Sequence, residues 1–138
     1  MIDLSYKYGS DDLLISKKEL SLYDAVIREG DIVVLNTGCY AHPEEFTSFG
    51  YLSPDAARYL VEKKIALLAV DTPSVDLNVP QGEPMPVHQV ILGNDIPIIE
   101  GLAHLDLIDV QRFTFIGLPL KIKDSDGSPI RAIAIIGE

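Results

Sequence analysis

The chain has 138 residues, 47% of them hydrophobic, with a single cysteine and 11 Lys and Arg against 21 Asp and Glu, a formal net charge of −10. That length suits one domain with one core, burying roughly 68% of the unfolded surface, and the apolar content excludes extensive disorder. So acidic a surface repels phosphates, which excludes nucleic acid and anionic membranes as partners, and one cysteine builds neither an internal disulfide nor a cysteine-rich zinc site.

The start, Met1-Ile2-Asp3-Leu4, shows no basic leader, and the apolar stretch 65–70 is too short to span a bilayer. A single cytoplasmic domain over residues 1–138 is expected. Ser16-Lys17-Lys18-Glu19 reads as a capping box, and Leu20, Tyr23, Ala25, Val26 and Ile27 continue a helical stripe as far as Gly30. Asp31 then introduces Ile32-Val33-Val34-Leu35, an apolar run of the kind buried on both faces of a parallel sheet. Asn36-Thr37-Gly38 closes it, and a polar loop follows through Pro43, Glu44 and Glu45.

The second unit repeats this order. Ser53 caps a helix, Pro54 takes the first position where its missing N–H costs nothing, and Asp55 faces the positive helix end. Ala57, Leu60 and Val61 form its buried face, and Ile65 to Val70 is the next buried strand, ended by Asp71-Thr72-Pro73. Two helix-then-strand units in succession predict an α/β domain with a partly parallel sheet.

From Pro73 to Pro86 four of the nine prolines fall in a stretch without periodicity, a long loop of the functional or mobile kind. Val87 to Leu92 predicts a short helix stopped by Gly93. Ile96 to Glu100 predicts a strand that Pro97 demotes to an edge. Phe113 to Leu118 and Ile130 to Ile136 predict two more strands, joined through the alternating Leu120-Lys121-Ile122-Lys123 and the turn signal Asp126-Gly127.

None of the three histidines, His42, His88 and His104, lies in a paired zinc pattern, and neither a glycine-rich phosphate loop nor a Gly-x-Ser-x-Gly elbow occurs. His88 opens a helix after a proline-rich loop, and Glu100 closes an apolar run twelve positions later, where desolvation opposes its charge. An imidazole and a carboxylate brought together by the intervening turn make a pair of metal ligands. The plain alternative is a helix-start histidine and a solvated strand-end glutamate. Asp71 directly follows a buried strand, where ligands favour the carboxyl ends, or it forms an Asx turn with Thr72-Pro73-Ser74. His42 and His104 read as loop and turn residues, and Cys39 as a packed thiol with no base spaced to activate it.

Several segments together resemble one family. Gly30-Asp31-Ile32-Val33-Val34-Leu35-Asn36-Thr37-Gly38, Val70-Asp71-Thr72-Pro73-Ser74-Val75-Asp76, Pro86-Val87-His88, Leu92-Gly93 and Ile98-Ile99-Glu100-Gly101-Leu102 are similar to successive segments of one superfamily. So are Phe113-Thr114-Phe115 to Pro119-Leu120-Lys121-Ile122 and Gly127-Ser128-Pro129-Ile130-Arg131-Ala132. This is the cyclase, or kynurenine formamidase (arylformamidase), superfamily of metal-dependent hydrolases. The resemblance implies a swivelling β/β/α-type α/β domain with a mixed sheet and a site for a divalent metal, zinc or manganese. It further implies metal-ligand roles for His88 and Glu100, and attack of a metal-activated water on the carbonyl of a small N-formyl or cyclic amide, as in tryptophan catabolism.

The family's upstream His-x-Gly-Thr-His-x-Asp-x-Pro motif has no counterpart here, and Cys39 stands where an aromatic residue is usual. The chain is therefore expected to be a C-terminal portion that lacks most of the metal site, binds metal weakly and turns over little alone. It would be completed by an N-terminal chain or act in a homo-oligomer. A non-catalytic remnant serving as a binding or assembly subunit is the second expectation.

Overall fold

The structure is a computed structural model and describes residues 1–41, 49–77, 79 and 82–137. Strands β1 (Ile2–Asp3), β3 (Ile32–Asn36), β5 (Leu67–Val70) and β6 (Ile98–Ile99) form a four-stranded, wholly parallel sheet in the order β1-β3-β5-β6. The connections run through α1 (Lys17–Ser21), α2 (Pro54–Glu62) and α3 (Pro86–Leu92), as parallel pairing requires of a crossover. Strands β7 (Thr114–Pro119) and β8 (Ile130–Ile135) make a separate antiparallel hairpin. A further parallel pair, β2 (Leu14–Ile15) and β4 (Tyr51–Leu52), leads into the caps of α1 and α2. Parallel and antiparallel pairing thus both occur, but in different sheets.

The strand alternation divides the core in two. Val33, Leu35, Leu68 and Val70 point to one face, where Leu20, Ala56, Leu60, Val87 and Ile91 of the helices cover them. Val34, Ala69 and Ile99 point to the other, against Leu102, Leu105, Phe113, Phe115, Ile130 and Ala132. The result is a helix layer, a parallel sheet and a hairpin layer, the α/β arrangement with β, β and α layers that the resemblance implied. On the hairpin Leu118, Ile133 and Ile135 are exposed, as are Leu120 and Ile122 in its connection. Among the described residues no helix is long and apolar enough to cross a membrane.

The caps form as expected. The Ser16 hydroxyl accepts from the Glu19 N–H while the Glu19 carboxylate accepts from the Ser16 N–H, and the Ser53 hydroxyl accepts from the Ala56 N–H. The predicted helix to Gly30 does not form in full, because α1 ends at Ser21. Beyond it, Asp24 is drawn to α2, accepting from the Tyr59 hydroxyl at 2.8 Å and pairing with Lys63 at 2.7 Å. Leu22 is left in solvent, and the backbone turns on bonds such as Val26 N–H to Tyr23 O. Strand β6 is shorter than expected and, among the described residues, pairs with β5 alone, as a proline-bearing edge should.

A buried cation has no counterpart in the sequence reading. Lys7 is 1% exposed, and its Nζ donates to the Leu14 and Asp12 carbonyls at 2.7 and 3.0 Å and pairs with Glu19 Oε1 at 2.8 Å. These three short contacts match the three donors of an ammonium, and Asp12 Oδ2 adds a longer ion pair at 3.4 Å. Burial pushes the Glu19 carboxyl upward, but Lys7, Ser16 and Tyr6 outweigh it and hold the group at about 2 against an ordinary 4.5. A carboxyl depressed on folding stabilises above its unfolded pKa and loses that contribution as pH falls through the folded value. Denaturation midpoints should therefore drop steeply between pH 4.5 and 2 in the wild type. In Glu19→Gln, weaker at neutral pH, this drop should be shallower; an equally steep one would contradict the assignment.

Candidate metal centre

The carboxyl ends of β5 and β6 point the same way, and the loop after β5 lies between them. Glu100 directly follows β6, and its neighbour Gly101 donates to Thr72 O at 2.9 Å, which holds the chain beside the β5 loop. Glu100 Oε1 accepts from the Val75 N–H at 2.8 Å, and Val75 O accepts from the Leu52 N–H at 3.0 Å. The Val75 side chain is fully buried, so this peptide is fixed on both sides.

The next residue, Asp76, is 6% exposed and turns its carboxylate to the start of α3. Oδ1 accepts from the Val87 N–H at 3.0 Å and Oδ2 from the His88 N–H at 3.1 Å. These are backbone donors that the first turn of any helix leaves without an internal partner. Met85, at the cap position, offers no side-chain bond, so Asp76 supplies it from across the loop. His88 Nδ1 stands 2.8 Å from Asp76 Oδ2, and Nε2 stands 3.3 Å from Glu100 Oε1.

The structure thus brings His88 and Glu100 together, and Glu100 is also exposed at the strand end, as the plain alternative had it. Two donors bound to one tetrahedral cation at about 2.0–2.1 Å stand roughly 3.3–3.4 Å apart, and the observed 3.3 Å matches that spacing. A nitrogen and a carboxylate oxygen also suit a borderline divalent ion chemically. Among the described residues no group of three or more His, Cys, Asp and Glu side chains is arranged to hold a metal. Glu100 also borders a cavity of about 590 Å³ with Gly101, His104, Ser128 and Arg131 in its lining.

Asp71 is neither in this pair nor in an Asx turn of its own loop. It is 2% exposed and reaches from β5 to the end of β3. Its Oδ1 accepts from the Thr37 N–H at 2.9 Å and the Thr37 hydroxyl at 2.7 Å, and Oδ2 accepts from the Cys39 N–H at 3.0 Å. All three bonds are internal, so Asp71 is a clamp between strand ends. Cys39 is packed, as expected, and burial followed by the Asp71 charge pushes its thiol up to about 11. His104 is an exposed turn residue in the left-handed region at φ 60°, edge-on to Tyr40. His42 and the loop at Pro43, Glu44 and Glu45 lie outside the described residues.

Residues 1–77 match the model of the family described as "Putative cyclase". The chain belongs to this family. It is 36% identical over 121 residues to kynurenine formamidase of Bacillus cereus, covering 86% of this chain and 55% of that protein. It is also 37% identical over 90 residues to kynurenine formamidase of Polaromonas naphthalenivorans, covering 65% of this chain and 39% of that protein. Among solved structures, an isatin hydrolase bound to the product analogue thioisatinate superposes with a TM-score of 0.86 at 27% identity. That match covers 99% of this chain and 58% of the other. A "predicted metal-dependent hydrolase" from Bacillus stearothermophilus gives 0.72 at 27% identity, covering 96% and 60%. This cyclase-family chain therefore spans about half the length of such relatives.

The residue missed from sequence is Asp76. It stands twelve positions before His88, as Glu100 stands twelve after it. The available signal was a helix beginning at Met85-Pro86 with no capping side chain of its own, which requires an acceptor from elsewhere.

Two outcomes test this description. Native Cys39 should resist a thiol-specific disulfide reagent at pH 8 and react fully in denaturant; rapid native labelling would contradict its burial. Asp71→Ala should lower stability by about 3–5 kcal/mol, since it orphans several buried donors at about 1–3 kcal/mol each. Urea denaturation measures this, and a loss under 1 kcal/mol would show that the clamp is replaceable.

Proposed function

We propose that this chain contributes two ligands, His88 and Glu100, to the divalent-metal site of an amidohydrolase of the kynurenine formamidase type. The single observation that supports this most is the 3.3 Å approach of His88 Nε2 to Glu100 Oε1, each group fixed from behind by Asp76 or Val75. Bound there, a zinc or manganese ion would supply Lewis-acid polarisation of an amide carbonyl and a lowered water pKa. The chain's own residues orient the two donors, and the cavity beside Glu100 admits a small N-formyl or cyclic amide. A catalytic zinc takes three protein ligands, so the isolated chain binds metal weakly and has little or no turnover. The remaining ligands come from a complementing N-terminal segment.

A second reading has one observation in its favour. Leu118, Leu120, Ile122, Ile133 and Ile135 expose an apolar surface on the hairpin and its connection, of a kind that marks association. Under that reading the chain is a binding or assembly subunit, in a homo-oligomer or with another chain, and His88 and Glu100 are vestigial.

Mixing the chain with the part of Bacillus cereus kynurenine formamidase outside the matched region, with zinc or manganese, tests the first reading. N-formylkynurenine should lose formate only in the mixture, and Glu100→Gln should lower kcat/KM at least 100-fold without weakening association. Association without hydrolysis of any formamide or lactam, unaltered by Glu100→Gln, favours the assembly subunit.

A further inference from the structure

We infer that Asp76 is the positioning residue of the metal pair: it fixes which nitrogen of His88 carries the ring proton and so turns the Nε2 lone pair toward Glu100. This deepens the metal reading and rests on it for the role of Nε2, while the tautomer itself is a property of the chain alone.

Both ring nitrogens face carboxylate oxygens, Nδ1 at 2.8 Å from Asp76 and Nε2 at 3.3 Å from Glu100, and for a neutral ring the shorter approach decides. Asp76 Oδ1 faces the Val87 N–H and Oδ2 faces the His88 N–H, so both oxygens serve as acceptors. Oδ2 also faces His88 Nδ1 at 2.8 Å, and two lone pairs do not face each other at that distance. Nδ1 therefore bears the hydrogen, and Nε2 is left with its lone pair on the Glu100 side. The His88 side chain is 19% exposed and that of Asp76 4%, so little water competes for the Nδ1–H. Because Asp76 accepts from the backbone of Val87 and His88 as well as from the ring, α3 and the imidazole move as one body.

A carboxylate behind a ligating imidazole fixes the tautomer and ring orientation and raises ligand basicity, and losing it typically costs 10–100-fold in metal affinity. Asp76 touches neither Nε2 nor the space between Nε2 and Glu100, so it acts through His88. Asp76 contributes to the cap of α3 as well, and the test must separate that role from positioning.

The test is imidazole ¹⁵N NMR on the full chain at pH 9, above the ordinary histidine range, followed by zinc titration. Wild-type His88 should show the Nδ1–H tautomer, and zinc should shift its Nε2 resonance. Asp76→Asn keeps one acceptor oxygen, and Asp76→Leu removes both. The Nδ1–H signature should weaken in the first and vanish in the second, and zinc affinity should fall about 10-fold or more in Asp76→Leu. Val87→Ala, which weakens α3 without touching the ring, should keep both tautomer and affinity. A wild-type His88 in the Nε2–H form overturns the inference even if the Asp76 variants do not fold. So does a folded Asp76→Leu with zinc affinity within twofold of wild type. An Nδ1–H ring that zinc leaves unshifted supports the positioning and sinks the metal reading instead.

Discussion

The Asp76 carboxylate, buried and bonded to the first N–H groups of α3, ties the loop after β5 to the helix that bears His88. One residue earlier, the Val75 N–H ties the same loop to Glu100 at the end of β6. Two adjacent residues, one through its carboxylate and one through its N–H, therefore set the distance between a helix residue and a strand-end residue twelve positions apart. Neither α3 nor the two-residue β6 is long enough to impose that geometry alone. The loop holds its place because Val75 is fully buried and its carbonyl is paired with Leu52.

An acidic chain with few cations has to accommodate its buried carboxylates by other means, and here backbone N–H groups serve. Asp71 is met by the amides of Thr37 and Cys39 and Asp76 by those of Val87 and His88, while Glu100, an exposed residue, accepts from that of Val75. Hydrogen bonds of this kind are among the stronger ones a protein makes. They leave Glu100 and Asp76 without a Lys or Arg partner among the described ion pairs, with His88 between them. A divalent cation entering beside Nε2 and Oε1 would complete that balance. Lys7 and Glu19 follow the opposite rule, where a buried cation is matched to the Glu19 and Asp12 carboxylates and two carbonyls.

Local chemistry was the legible part of the fold. The caps at Ser16 and Ser53, the buried strands at Ile32 and Leu67 and the edge strand after Pro97 depend on neighbouring residues, which a sequence displays. The length of α1 was not legible, because the Tyr59 and Lys63 side chains that draw Asp24 away come from another helix. Lys7 was illegible for a similar reason: its partners are main-chain carbonyls that only the fold assembles. At the site, the residues alone left His88 and Glu100 open between a ligand pair and a solvated strand-end glutamate, and the family resemblance favoured the pair; the structure brings the two together with Glu100 exposed. Asp76 appeared only as the end of a family-like segment and was given no role, since what distinguishes it is a helix start that lacks its own cap.

The central claim is that His88 Nε2 and Glu100 form one preorganised pair of donors whose geometry is set from behind by residues 75 and 76. A crystal of the chain soaked in zinc, with anomalous data at the zinc edge, tests it most directly. The account predicts a peak at about 2.0–2.2 Å from both His88 Nε2 and Glu100 Oε1, with Asp76 still on Nδ1. Zinc bound through Nδ1, or bound elsewhere with this pair empty, would contradict it.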